Sequence, residues 1–294
     1  MLAGQLLNGI VTGAMYALVA IGFSLVIGTL DKLNFAHSEV FMIGGFVALV
    51  TVNYMPWQLA LLVIFLVGGL LGLATEFIAF RRFQTTEGKI TAALASMALG
   101  LIITDLVHKG WGTEPVPLKA QSEWLHTGHS FFGATVLNLQ IVILAVAFLL
   151  MAMLHVLLHK SRMGRQIRAL AESNVSASLL GINVRRVTQT VFFVSSALAA
   201  VGGLLVALRG GAASSEIGLT FGLKSLAIMA IGGMGDLRGA LVGGLLIGVL
   251  EALMFQMGLG RLVEMTAWVA LMAVLMFRPQ GLFGGGIHVQ EQRA

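Results

Sequence analysis

"LLNGIVTGAMYALVAIGFSLVIGTLDKLNFAHSEV", residues 6–40, holds the change of character on which the fold turns. From Leu6 to Leu30 there is no charge, and from Val40 to Val52 there is none either. An apolar run of about 18 residues or more reads as a membrane-spanning helix. Between two such runs stand Asp31, Lys32, Asn34, His37, Ser38 and Glu39. A solvated turn would account for them. So would a polar lining for something that crosses the membrane.

The whole chain has the same character. It is 57% hydrophobic and 11% charged, where a soluble domain carries about 25% charge. The expectation is an all-α integral membrane protein, a polytopic bundle of about eight to ten helices, some of them short or broken. Candidate spans are 5–29, 36–54, 57–80, 90–108, 135–158, 188–208, 219–235, 237–258 and 261–277. The seventh is short and carries Lys224, which suits a re-entrant or broken helix packed inside protein. The first run is too long for a signal-peptide core and is read as a retained span. With no cysteine, disulfides and thiolate metal sites are excluded.

Cations cluster in particular connections: Arg81, Arg82 and Lys89; then Lys160, Arg162, Arg165, Arg168, Arg185 and Arg186; then Arg278 and Arg293. The positive-inside rule places 81–89, 159–187, 236–238 and the C-terminus in the cytoplasm, and loop 109–134 outside. Nine spans then put the N-terminus outside. The net charge of +5 reads as topology, with no nucleic-acid footprint.

Small residues recur at four-residue spacing, as at Gly9/Gly13, Gly68/Gly72 and Gly235/Gly239/Gly243, which lets helix backbones approach closely. An echo between "FAHSEVFMIGG" (35–45) and "AASSEIGLTFG" (212–222) is too short to establish a repeat. "GLTFGLKS" (218–225) is no phosphate-binding loop, because Leu223 separates the glycine from Lys224. "HSE" is not H-E-x-x-H, and the seven histidines lack metal-ligand spacing. The pattern is that of a conduit.

Connection 159–187 is longer than a turn between spans needs. "RQIRALAES" is helix-forming, Asn174 can cap a second short helix over Val175 to Leu180, and Gly181 sits where a left-handed residue ends one. The segment fits an amphipathic element on lipid, or a docking element for a cytoplasmic partner. Over 34–41 a helix would put Asn34, His37 and Ser38 on one face with Glu39 off it. A carboxylate facing lipid costs about 3 kcal/mol, so Glu39 must face protein, water or the interface. Lys224 and Glu251 are further candidates for the pathway, or for bridging between helices. Asp105 with His108 reads as a surface pair at an outer helix end.

Four stretches together resemble the permeases of branched-chain amino-acid ATP-binding-cassette importers. They are "NGIVTGAMYALVAIGFSLVIGTLDKLNFAHSEVFMIGGFVA" (8–48), "GRQIRALAESNVSASLLGINVRRV" (164–187), "GLKSLAIMAIGGMGDLRGALVGGLLIGVLE" (222–251) and "FRPQGLFG" (277–284). The resemblance implies one transmembrane permease domain, 1–294, in a bacterial inner membrane. It implies a second permease subunit, two cytoplasmic ATPases holding ATP and magnesium, and a periplasmic substrate-binding protein. This chain would bind no cofactor and catalyse no reaction. Asn34, His37, Ser38 and Glu39 would line or brace the translocation path near its cytoplasmic side, with Lys224 and Glu251 as further pathway residues. Glu172, Asn174, Ala177, Leu180 and Gly181 would form the ATPase-coupling element. Ser38 departs from the glycine usual in that family, and "NVSASLLG" lacks its acidic residue. Relatives for urea, short amides or aromatic acids share the motifs. A reading of another class is an ion-coupled secondary transporter using Asp105, Glu251 or Lys224.

Overall fold

The computed structural model describes residues 2–52, 54–83, 88–118, 123–131 and 134–284. Lys119, Arg293 and the last residues of the chain lie outside them. Each of the nine expected spans corresponds to a helix: α1 (Leu2–Leu30), α2 (His37–Thr51), α3 (Trp57–Thr75), α4 (Gly88–Trp111), α6 (Asn138–Lys160), α9 (Val184–Gly210), α10 (Glu216–Gly232), α11 (Leu237–Gln256) and α12 (Val263–Phe277). Helix α3 runs on into a π turn, Glu76–Phe80. On one side lie the short α5 (Glu123–His126), a hairpin of β2 (Gly128–Phe131) with β3 (Ala134–Leu137), and a two-residue ladder of β1 (Val116–Pro117) with β4 (Ala212–Ala213). On the other side lie α7 (Arg162–Glu172) and α8 (Asn174–Leu179).

Among the described residues, seven helices are long and apolar enough to cross a membrane. Helices α2 and α10 have 15 and 17 residues, about 22–26 Å of rise against about 30 Å of hydrocarbon. The seventh span is thus one unbroken short helix, ending at Gly232 because Gly233 takes φ +111°. Both short helices begin where the Ser-Glu echo falls, at Ser38-Glu39 and Ser215-Glu216.

Helices α1 and α9 form the centre. They are apolar all round, and 89% and 83% of their apolar windows are buried, against 22% for α4 and 6% for α12, whose faces are left for lipid. What lets so many helices crowd α1 and α9 is missing side chains. A Cβ on Gly13 of α1 would come within 2.7 Å of the Gly244 carbonyl of α11, and one on Gly9 within 2.8 Å of the Gly248 carbonyl. Gly44 of α2 lies on the Ala200 carbonyl of α9, and Gly203 of α9 on the Phe41 carbonyl of α2. Gly239 of α11 meets Gly232, and Gly243 meets Ile228. Gly235 is not part of that helical series: it sits in the turn before α11 at φ +84°, against Gly28 of α1.

The N-terminal part of α1 lies beside the start of α6, where Gln140 donates to the Asn8 side-chain oxygen at 2.7 Å. The N-terminus therefore shares a side with the 109–134 connection. The opposite end gathers Asp31 with Lys89, Lys32 with Phe83, and Ser24 with the Asp236 carbonyl. That side carries the cationic connections and is the cytoplasmic side by the positive-inside rule.

The contact at Gly44 sets a test. Gly44→Val forces a branched side chain onto the Ala200 backbone and should destabilise by about 3 kcal/mol or more, since neither backbone can yield cheaply. Gly210→Ala, with nothing within 4 Å of its Cβ, should be neutral. Thermal unfolding of the detergent-solubilised protein, followed by loss of the monodisperse elution peak, measures both.

Candidate functional site

The polar stretch between α1 and α2 is a non-helical entry into the bundle that closes in a turn at Phe35–Ala36. Asp31 ends α1 in the left-handed region, φ 51°, which aspartate tolerates better than most residues. Residues 32–36 are not helical, so Asn34 does not share a helical face with His37 and Ser38. Buried backbone needs partners. The Phe35 N–H finds the Ser96 hydroxyl of α4 at 3.0 Å, and the His37 N–H finds the Asn34 carbonyl at 3.3 Å.

His37 is fully buried against α1. Its Nε2 lies 3.3 Å from the Val19 carbonyl, so that nitrogen carries the hydrogen. The ring meets Phe23 edge-on, with centroids 4.4 Å apart, and occupies the space left by Gly22. Its Nδ1 and both side-chain atoms of Asn34 have no hydrogen-bond partner among the described residues. Ser38 and Glu39 are half-buried. The Ser38 hydroxyl donates to the Phe35 carbonyl at 2.9 Å. Thr104 of α4 donates to Glu39 Oε2 at 2.9 Å, and the carboxylate also lies against Gly218 of α10. Glu39 is wedged between α4 and α10, facing protein. These four residues sit inside the bundle, between α1, α4 and α10, deeper than the cytoplasmic border expected for them.

A second cluster joins three helices. Lys224 of α10 and Glu251 of α11 pair at 3.0 Å, both 7% exposed. Tyr16 of α1 donates to the other Glu251 oxygen at 2.9 Å. The Tyr16 ring packs on Phe221, which stacks in turn on Phe41 of α2. One turn along α1, Thr12 accepts from Arg209 of α9 at 2.6 Å. Lys224 and Glu251 thus bridge helices. Tyr16 and Arg209 were missed in the sequence. Tyr16 is one of only two tyrosines and stands in an uncharged run, the one signal that could have found it. Asp105 pairs with Lys109 at 2.8 Å, one helical turn on, so the expected pairing with His108 is corrected.

On the cytoplasmic side, Ser161 caps α7 by accepting from the Gly164 N–H. Ile167 and Leu170 are buried beneath it. Arg168 reaches back to the Leu158 carbonyl. Ser173, not Asn174, caps α8, its hydroxyl accepting from the Ser176 N–H. Gly181 ends the unit at φ +77°. Ala177 is 1% exposed, so it anchors α8 and cannot be an outward contact. The outward apolar residues are Val175, Leu179 and Leu180, at 69%, 82% and 78% exposure, with Glu172 and Asn174 also exposed. Val175 and Leu179 were missed. Their four-residue spacing, continued to Leu180, is the pattern that marks them.

A family model described as branched-chain amino acid transport system, permease component, matches residues 5–278. The chain belongs to this permease family. It is 32% identical to the high-affinity branched-chain amino acid transport system permease protein LivH of Salmonella typhimurium, over 95% of this chain and 94% of that one. It is 31% identical to the corresponding protein BraD of Pseudomonas aeruginosa, over 95% of each. Among solved structures, PsaBC from Streptococcus pneumoniae in complex with Fab superposes with a TM-score of 0.51 at 12% identity, covering 96% of this chain and 93% of that one, a likeness of fold alone. The permease is a multi-pass membrane protein.

In this permease the Lys224–Glu251 pair has a measurable consequence. Lys224→Met strands the Glu251 carboxylate in the bundle and should destabilise by about 3–5 kcal/mol. Lys224→Met with Glu251→Leu removes both charges and should recover most of that loss. Melting curves of the two variants decide. A double variant no more stable than the single one shows that the pair is not what holds α10 to α11.

Proposed function

We propose that this chain is the membrane-spanning permease subunit of an ATP-binding-cassette importer in the bacterial inner membrane, and that it carries branched-chain or other hydrophobic amino acids. The observation that carries this reading is α8. Two large apolar side chains, Val175 and Leu179, stand exposed on a six-residue helix on the side assigned to the cytoplasm, with Leu180 exposed beside them at its C-cap. Exposed apolar clusters of this kind mark interaction sites. Helix α7 and the buried Ala177 hold α8 firmly to the bundle, so a push on Leu179 or Leu180 is transmitted to the membrane helices.

The occupant we assign to α8 is a cytoplasmic ATPase subunit holding ATP and magnesium. A second permease subunit and a periplasmic binding protein complete the assembly, and 1–294 acts as one permease domain without chemistry of its own. Ser38 and Glu39, half-buried between α4 and α10, are proposed to line the closed path. Asn34 and His37 brace it. Against an ion-coupled transporter stands the state of Glu251, whose carboxylate is already taken by Lys224 and Tyr16.

Leu179→Arg should abolish ATPase retention and ATP-driven leucine uptake in reconstituted complex while leaving insertion and melting unchanged. Uptake at the wild-type level would remove α8 as the docking element. The chain has no native cysteine, so Ser38→Cys reports on the path. A water-soluble thiol reagent should label it in one nucleotide state and not in the other. Absence of labelling in both states refutes the path assignment.

A further inference from the structure

On the cytoplasmic side, the segment after α1, the π turn that ends α3, helix α8 and the start of α9 line a partly open cavity of about 290 Å³. That is close to the lower end for small-molecule sites, about 300 Å³. The transport reading does not use it. Its lining has two charges, Lys32 and Glu76, without an ion-pair partner among the described residues. Lys32, half-buried, donates only to the Phe83 carbonyl, at 2.6 Å, and has no carboxylate within ion-pair distance among the described residues, since Asp31 is held by Lys89. Burial, with Lys89 nearby, holds the Lys32 ammonium below the usual lysine range, as expected of a cation short of an anionic partner.

Glu76 is the opposite charge. It is 2% exposed; its carboxylate accepts a hydrogen bond from the Gln189 side chain, and its Oε2 has no hydrogen-bond partner among the described residues. Arg81 and Arg185 lie beyond ion-pair distance from it, and the Arg81 guanidinium instead sits over the Phe77 ring. The π turn begins at Glu76 itself, and such turns are frequent at functional sites. Beside them the lining carries the apolar Leu30, Phe80 and Val184 and the polar Asn174, Ser178 and Thr188.

The ligand that answers all three features carries a carboxylate, an ammonium and an apolar body. A phosphate or a fatty acid would satisfy Lys32 but leave Glu76 unanswered, and a simple amine would do the reverse. We propose that this cavity is a cytoplasm-facing binding site for a free apolar α-amino acid, its carboxylate on Lys32 and its ammonium on Glu76. Helix α8 supplies Val175 and Ser178 to the wall, and the same helix presents Leu179 and Leu180 outward. Occupancy therefore ties α8 to the membrane helices and couples the internal amino acid level to whatever docks there. The inference goes beyond the import reading and does not depend on which solute crosses.

The test is equilibrium binding of radiolabelled L-leucine to the full-length chain, purified in lipid nanodiscs with the subunits it retains. Leucinamide, which lacks the carboxylate, and 4-methylpentanoate, which lacks the amine, serve as competitors. Saturable binding at millimolar concentration or below is expected, with neither competitor displacing it. Glu76→Gln and Lys32→Met should each weaken it at least about tenfold, the loss of one charge-assisted contact. Ser178→Trp, on the exposed face of α8, should fill the cavity and weaken binding as much without disturbing a buried group. A site on the translocation path would be indifferent to Ser178→Trp, so binding that survives this substitution overturns the proposal. Displacement by either single-charge analogue, or no saturable binding, overturns it equally.

Discussion

Backbone-to-backbone contact along α1 is the constraint on which the rest of the structure depends. In lipid there is little hydrophobic gain in bringing two helices together, so association relies on close packing and on polar contacts between them. Gly9 and Gly13 of α1 against Gly248 and Gly244 of α11 supply the first. The Tyr16–Glu251–Lys224 cluster, one turn further on, supplies the second. The two act together: the glycines bring α1 close enough for Tyr16 to reach Glu251, and the hydrogen bond makes that closeness specific.

The same device recurs where α2 enters. A non-helical segment inside a membrane protein is tolerated only when protein satisfies its backbone. Gly22 leaves room for His37, and Ser96 takes the Phe35 N–H. Gly218 and Gly222 of α10 leave room for Glu39 and Ser38. The start of α2 is therefore seated on three other helices. A shift of α10 against α1 would be felt at Ser38 and Glu39, and the polar side chains there have alternative partners within reach. Both short helices meet at this point, Gly218 and Gly222 of α10 lying against Glu39 and Ser38 of α2.

The cytoplasmic side follows a different logic. Helices α7 and α8 are polar enough to stay out of the bilayer but are pinned by Ile167, Leu170 and Ala177. Pinning from beneath frees the outward side of α8 for contact. It also places the cavity between α8 and the π turn of α3, where a ligand and a docked protein would act on the same six residues.

Composition and run length by themselves determined the membrane class and the nine helices, and the cationic loops set the expected sidedness. Each rests on a local property: an uncharged run must be helical in lipid, and cationic loops stay on the cytoplasmic side. Gly181 was legible for the same reason, a helix end needing a left-handed residue. What the sequence could not decide were relations between distant residues. Nothing local says that Lys224 and Glu251 neutralise each other, or that Tyr16, 208 positions from Lys224, completes the cluster. Nor does local pattern say that Ala177 points inward, because a small residue suits a buried contact and an exposed one equally. Of the stretch 34–41, residues 37–41 are helical and 34–36 are not, on the same ground. Propensity allowed a helix at 34–36 too, but Ser96 on α4 takes the Phe35 N–H there, and tertiary contacts outweigh the few tenths of a kcal/mol by which most residues differ in helix preference.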